Sequence, residues 1–255
     1  MLIVTWNCNS IRARMARLLD LLETHQPDVV CLQETKVGPE AFPHLELAMA
    51  GYAAIDHSSG TWNGVAVLLP IDVDASGAVF GLEGEPRPEE ARWLEVEVRG
   101  VRVVTVYVPN GRTPGHPRFA EKLRFLDVAA ERVGALAERG PLALAGDVNV
   151  APTDADVWNP GRRANRTHVT PEERTRVAAL LDRGVRDAWL EAGEGGRFTW
   201  WSNHPSALAQ DRGMRIDLAL VSDHLAVRRC QVARDFREGA RPSDHAPLLT
   251  WLEPA

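Results

Sequence analysis

The chain has 255 residues, 45% hydrophobic and 25% charged, the composition of an ordinary soluble globular protein with enough length for a substantial core. Asp and Glu outnumber Lys and Arg by 35 to 29, a formal charge of -6, which argues against an indiscriminate nucleic-acid coat but not against a local basic face. Cys8, Cys31 and Cys230 are widely spaced and form no C-x-x-C pair, so neither a disulfide framework nor a zinc site is indicated and a reducing cytoplasm fits; with no leader-like or bilayer-length apolar stretch, neither secretion nor membrane insertion is expected.

Residues 2–6 read as a short apolar strand ending in Asn7 and Asn9. Residues 11–23 read as a helix, with Ile11, Met15, Leu18, Leu19 and Leu22 at helical spacing, Ser10 placed to cap it, and Arg12, Arg14 and Arg17 forming a solvated face. Gln26, Pro27 and Asp28 break that helix, and residues 29–32 make a buried strand that delivers Gln33, Glu34, Thr35 and Lys36 at its end. Residues 51–55 and 64–69 read as two further strands, and residues 93–98 and 101–108 as a hairpin across Arg99 and Gly100. Residues 81–90, rich in Gly, Pro and Glu, read as a surface loop between strands rather than a domain linker. The hairpin's second strand leads to Tyr107, Pro109, Asn110, Gly111 and Arg112, and residues 119–138 form a long amphipathic helix.

Residues 142–145 are an apolar run of strand length, followed by Gly146, Asp147, Val148 and Asn149. Gly146 is expected to let the backbone open, and on an extended backbone Asp147 and Asn149 project from the same face. A carboxylate and an amide there suit a hard cation such as Mg²⁺, which takes oxygen ligands, and the amide can also donate to a phosphoryl oxygen. A plain Asp-turn is the competing reading, since Gly, Asp, Asn and Pro are ordinary turn residues. Residues 158–168 carry Arg162, Arg163 and Arg166, the densest positive charge in the chain, as a loop that either reaches phosphates or is simply solvated. Residues 171–181 are a helix with Thr170 as cap and Glu173 in the capping-box position. Residues 215–221 form a strand carrying Asp217, and Ser243, Asp244 and His245 precede a last strand, residues 248–252.

Helices after some strands, hairpins after others and polar residues at strand ends throughout indicate an α/β fold. Two mixed β-sheets should pack face to face with helices outside, in a single domain spanning residues 1–255, with a site along one edge. That site would hold Asn7, Glu34, Tyr107, Asp147, Asn149, Asp217, Asp244 and His245. A lone His beside an Asp is more often a hydrogen-bonded surface pair than a catalytic one. Several strand-end acids converging on one His change the balance, because metal-assisted phosphoryl transfer needs a carboxylate for the cation, a base or oriented water, and donors for developing charge.

Taken in order, Trp6-Asn7-x-Asn9, Leu32-Gln33-Glu34-Thr35-Lys36, Tyr107-Val108-Pro109-Asn110-Gly111, Gly146-Asp147-Val148-Asn149-x-x-Pro152-Thr153-Asp154, Arg215-Ile216-Asp217 and Ser243-Asp244-His245-Ala246-Pro247 resemble the motif set of the exonuclease III family of apurinic/apyrimidinic endonucleases. The resemblance spans almost the whole chain. It implies the four-layer α/β sandwich of the endonuclease/exonuclease/phosphatase superfamily and dependence on Mg²⁺ or Mn²⁺. It also implies hydrolysis of double-stranded DNA 5′ to abasic sites with trimming of 3′ ends, by a monomer with no membrane partner.

By the same resemblance, Glu34 is the principal metal ligand, with Asn7 and Asp244 close to the cation. Asp147 positions or deprotonates the attacking water, Asn149 holds the scissile phosphate, and Tyr107 stabilises the phosphate or leaving oxygen. His245 contacts the phosphate or serves as base, with Asp217 orienting its ring. Asn9, Lys36, Asn110 and Arg112 supply substrate contacts, and Trp200, Met214 and Ile216 build an apolar pocket for the base-free sugar. One departure is visible: where many family members follow the aromatic pair with Asp-Tyr-Arg, this chain has Ser202, Asn203, His204 and Pro205, which bears on the DNA-facing loop and the balance of endonuclease and exonuclease activity. Two alternatives stay open, a member that only binds nucleic acid and a small-molecule phosphatase, separable by EDTA-sensitive DNA cleavage and by hydrolysis of soluble phosphoesters.

Overall fold

In the computed structural model, which describes every residue except Pro205, a side-chain alternation of period two sets the layers. Along β1 (Leu2–Asn7), Leu2, Val4 and Trp6 enter one apolar cluster while Ile3 enters another on the opposite face. The chain continues through α1 (Met15–His25), β2 (Val29–Gln33), α2 (His44–Met49), β3 (Tyr52–His57), β4 (Val65–Pro70), β5 (Ala75–Phe80), β6 (Trp93–Val98), β7 (Val101–Tyr107) and α3 (Pro117–Ala137). The second half adds β8 (Leu142–Asp147), α4 (Pro160–Arg163), α5 (Pro171–Leu181), β9 (Val185–Asp187), α6 (Ala188–Ala192), β10 (Gly193–Glu194), β11 (Trp200–Trp201), β12 (Gly213–Met214), β13 (Asp217–Ser222), β14 (Leu225–Val232) and β15 (Leu248–Pro254).

Seven strands form one sheet in the order β10-β14-β15-β1-β2-β4-β3, and six form the other in the order β5-β6-β7-β8-β13-β9. Strand β1 runs parallel to β2 and β7 to β8, while β13 and β15 run antiparallel to their neighbours β8 and β1. The facing sides share a core of Ile3, Val29, Cys31 and Val67 against Val96, Val103, Ala143 and Ala145. Helices α1 and α2 cover the outer face of the first sheet through Leu18, Leu21 and Leu47, and α3 and α5 that of the second through Phe125, Val133, Val177 and Leu180. The result is the expected four-layer sandwich, and central strands buried on both faces account for the continuous apolar runs. In mid-sandwich a polar bridge crosses the inter-sheet gap: the Gln33 side-chain amide donates to Thr5 Oγ1 (3.0 Å) and Thr105 Oγ1 (2.9 Å). Among the described residues no helix is long and apolar enough to cross a membrane.

Several local expectations are corrected. Helix α1 starts at Met15 rather than at 11, because the amides of Ser10 and Ile11 donate to the Glu34 and Thr35 carbonyls (2.7 and 3.0 Å) and hold that segment against the end of β2. Ser10 therefore caps only a preceding turn, with its hydroxyl 3.4 Å from the Ala13 amide. Arg14 and Arg17 are not a solvated face: Arg14 donates to the Pro242 carbonyl (3.2 Å), and the Arg17 guanidinium lies 5.0 Å from the Phe236 ring centroid. Gly146 lies within β8 and opens nothing. It is required because a Cβ there would come 2.0 Å from the Val106 carbonyl oxygen of the neighbouring strand.

Candidate metal and phosphate site

Parallel strands β1, β2, β7 and β8 end at one edge of the sandwich, where antiparallel β13 and β15 begin. This topology alone gathers Asn7, Glu34, Tyr107, Asp147, Asp217 and the 243–245 turn. The Asn7 amide bridges the two sheets, donating to Glu34 Oε1 (2.8 Å) and Asp147 Oδ2 (2.9 Å) while its own oxygen accepts from the Asn9 amide (3.1 Å). Asn7 thus holds the two carboxylates together at the strand-end edge.

His245 Nδ1 meets Asp217 Oδ2 at 2.8 Å, and Nε2 stands 3.8 Å from Asp147 Oδ2. One carboxylate oxygen each of Asp147 and Asp217 and a ring nitrogen of His245 all lie within 4.8 Å of one another, and all three residues are buried. The backbone behind the ring is fixed: the Ser243 hydroxyl donates to the Asn7 carbonyl (2.7 Å) and accepts from the His245 amide (3.2 Å), and Trp6 Nε1 donates to the His245 carbonyl (3.1 Å).

Burial raises the Asp147 carboxyl toward about 7; His245 opposes the shift, and Asp217 and Glu34 add to it. For His245 burial disfavours the charge, but Asp217, Asp147 and Asp244 outweigh it and push the imidazole up to about 10. Burial first, then Glu34, holds the Tyr107 phenol well above its usual range. Negative groups therefore exceed positive ones in a desolvated space. Asp217 Oδ1, also buried, has no hydrogen-bond partner among the described residues. Glu34, Asp147 and Asp217 bring carboxylate oxygens to this space beside the His245 imidazole, and carboxylate oxygens are the donors a hard divalent cation takes.

Around this centre the backbone is strained, since Asn9, Ser10, Glu34, Lys36, Arg112 and Asn149 hold φ between +48° and +91°. Asn149 consequently does not lie beside Asp147 on an extended strand. Its amide N–H donates to Asp147 Oδ1 (2.9 Å) and its side chain to the Val108 carbonyl (3.0 Å), so the turn wraps around the carboxylate. Lys36 Nζ contacts Glu34 Oε2 and Asn9 Oδ1, both at 2.6 Å. Asp244 accepts from Asn9 Nδ2 (2.9 Å) and Trp200 Nε1 (3.1 Å), which places these two side chains at the site.

Trp200 packs half-buried over Met214 and Ile216, which are 0% and 2% exposed and can form only the floor of an apolar pocket. The Arg163 guanidinium lies 5.7 Å from the Trp200 ring centroid, bringing the basic segment to the pocket wall. Asn110 and Arg112 line a cleft of about 330 Å³ with Tyr107, Arg92 and Trp62, the last 78% exposed and not singled out by the sequence. A larger apolar groove of about 760 Å³, between α1 and α2, is lined by no residue of the site. In the departing loop, residues 202–204 are described and Pro205 lies outside the described residues.

A four-layer sandwich with a desolvated acid and imidazole cluster at its strand-end edge is the architecture of a metal-dependent phosphoester hydrolase. The Endonuclease/Exonuclease/phosphatase family model matches residues 4–245, and the chain belongs to that family. It is 32% identical to exodeoxyribonuclease III of Haemophilus influenzae, over 98% of each chain, and 31% identical to the DNA repair nuclease APEX1 of Danio rerio, over 99% of this chain and 82% of that one. Among solved structures it is similar to the 3′-5′ exonuclease NExo from Neisseria meningitidis (TM-score 0.95, 34% identity, 99% of this chain and 100% of that one). An AP endonuclease from Archaeoglobus fulgidus has a TM-score of 0.94 and 28% identity, over 99% of each chain. The chain is an exodeoxyribonuclease III-like hydrolytic nuclease.

Proposed function

We propose that the protein is a Mg²⁺-dependent DNA repair nuclease that hydrolyses phosphodiesters 5′ to abasic sites and trims 3′ ends, as a cytoplasmic monomer. Mn²⁺ should substitute for Mg²⁺. The observation that carries this reading is the Asn7 bridge between Glu34 and Asp147 beside the Asp217–His245 pair. A relative, the 3′ phosphatase NExo from Neisseria, has been solved bound to a product DNA hairpin (TM-score 0.95, 33% identity), which supports DNA as the substrate class. Three buried, unpaired cysteines agree with a reducing compartment.

Glu34 would be the principal holder of the cation, with Asn7 and Asp244 close to it; the bound ion would supply Lewis-acid stabilisation of charge on the phosphate. With an imidazole held charged up to about pH 10, His245 acts as a donor to a phosphate oxygen rather than as the base. Asp147, whose carboxylate is held at the centre of the site by the Asn7 side chain and the Asn149 amide, takes the proton of the attacking water. Asp217 orients the ring, Asn149 holds the scissile phosphate, and Tyr107, neutral at any physiological pH, donates to the phosphate or leaving oxygen. Asn9, Lys36, Asn110 and Arg112 contact the backbone, and Trp200 over Met214 and Ile216 receives the base-free sugar.

A duplex with one abasic site and a labelled 3′ end tests the reading. Nicking and trimming should both appear with Mg²⁺ and vanish with EDTA, whereas hydrolysis of soluble phosphoesters with indifference to the duplex would replace it with the small-molecule alternative. Contact with DNA should lean on the basic segment at the Trp200 wall. Replacing Arg162, Arg163 and Arg166 with Ala should flatten the slope of log affinity against log salt by roughly two to three units, close to one for each phosphate no longer neutralised. An unchanged slope in a salt titration would mean the segment is merely solvated.

A further inference from the structure

Beneath the site lies a buried polar cluster that none of these steps uses. Lys122 of α3 is 0% exposed, and its ammonium donates to the backbone carbonyls of Asn149 (2.7 Å) and Asn110 (3.3 Å) and to the Glu173 carboxylate of α5. Glu173, equally buried, accepts from the amides of His168 and Thr170 (3.0 Å each) and from the Thr170 hydroxyl (2.9 Å). The His168 ring completes the unit, with Nδ1 2.5 Å from the Asn149 carbonyl and Nε2 3.4 Å from the Asn110 side-chain amide. Nδ1 donates to that carbonyl and Nε2 accepts from the Asn110 side-chain NH2, the pattern of the neutral ring protonated at Nδ1.

Burying an ion pair gains little stability over apolar groups of the same volume, because desolvation offsets the attraction. What this pair obtains is position. Its acceptors are the backbones of two residues just past the ends of β7 and β8, and Asn149 is held there at φ 56°. The loop is built around the lysine stem, since a Cβ on Gly111, at φ 82°, would stand 2.8 Å from Lys122 Cδ.

We propose that Lys122, Glu173 and His168 are positioning residues that clamp the loops after β7 and β8, fixing Asn110 and Asn149 relative to Asp147 for grip on the phosphate. This rests on the reading of Asn149 as a phosphate contact. A displacement of about 1 Å at such a contact costs on the order of 10²-fold in rate.

The test uses the full chain and an abasic duplex with Mg²⁺. Lys122→Met combined with Glu173→Gln leaves no lone buried charge and should retain a cooperative melt. Its kcat should fall roughly 10- to 100-fold while KM moves far less, because binding draws on phosphates across the whole duplex. His168→Leu, which keeps the ion pair and puts folding at less risk, should lose kcat by a smaller factor with the same split. Either change combined with Asn149→Ala should cost less than the product of the separate losses. Parental kcat in His168→Leu or in the folded double variant, or losses that multiply with Asn149→Ala, would overturn the clamp. If the double variant does not fold, His168→Leu decides alone. Parental kcat in Asn149→Ala itself would sink the phosphate reading and the clamp's route with it, whereas a low value there beside parental clamp variants sinks the clamp only.

Discussion

Glu34→Gln should lower kcat by orders of magnitude at limiting Mg²⁺ and leave the fold intact. The Glu34 carboxylate is held from both sides, by Asn7 Nδ2 on Oε1 and by Lys36 on Oε2, yet its side chain keeps 16% exposure at the site's mouth and belongs to no apolar cluster. The substitution therefore removes an anion and not a packing element. Lys36 then stands beside the cation's position without its partner, adding repulsion to the missing attraction. Changes to groups that merely support a metal ligand cost about 10- to 100-fold, so removal of a direct anionic ligand should exceed that. Raising Mg²⁺ should recover part of the loss by mass action. Activity measured across a Mg²⁺ titration, with circular dichroism as the check on folding, decides it; a variant matching the parent at limiting Mg²⁺ would mean that Glu34 does not hold the metal.

The layers were legible because the central strands carry uninterrupted apolar runs, each stopping at a polar residue, and a strand end is where a buried sheet can first expose chemistry. Asn7, Glu34, Tyr107 and Asp147 stand out by that rule, and the structure brings them to one edge, where Asp217, expected inside a strand over residues 215–221, instead begins β13. Elements at the margins were hidden. Strand β5 exposes five of its six residues, and β14 carries exposed Arg228 and Arg229 beside an irregular register between Val227 and Arg229, so neither shows a clean apolar pattern. The start of α1 misleads because Ile11 continues the helical spacing, while the tether of Ser10 and Ile11 to β2 is a tertiary contact that local periodicity does not contain. Lys122 was invisible for a related reason. A lysine between Phe119 and Phe125 on an amphipathic helix reads as solvated, and its partner Glu173 comes 51 residues later, where it looks only like half of a capping box.

Asp217→Asn and His245→Ala should each cost roughly 10²-fold or more in kcat, the scale of a general acid or base and its orienting group, and the double variant should cost little more than the worse single one. Asp217 is 0% exposed, its Oδ2 serves the His245 ring at 2.8 Å, and its Oδ1 has no hydrogen-bond partner among the described residues. With the ring gone, that carboxylate has little left to orient. The same pair sets a pH signature in metal-free protein. Burial opposes the His245 charge, but Asp217 leads the groups that raise it to about 10, above an unfolded value of about 6.5. The resulting stabilisation is fully present below about pH 6.5 and is lost as pH rises through about 10, so the parent Tm should decline across that window through this group. His245→Ala should remove this part of the decline, and Asp217→Asn should shrink it, because the ring then loses its largest favourable partner. Single-turnover rates for the four proteins give the coupling directly: a double variant whose loss equals the product of the two single losses would mean that Asp217 acts on the reaction by a route other than the His245 ring.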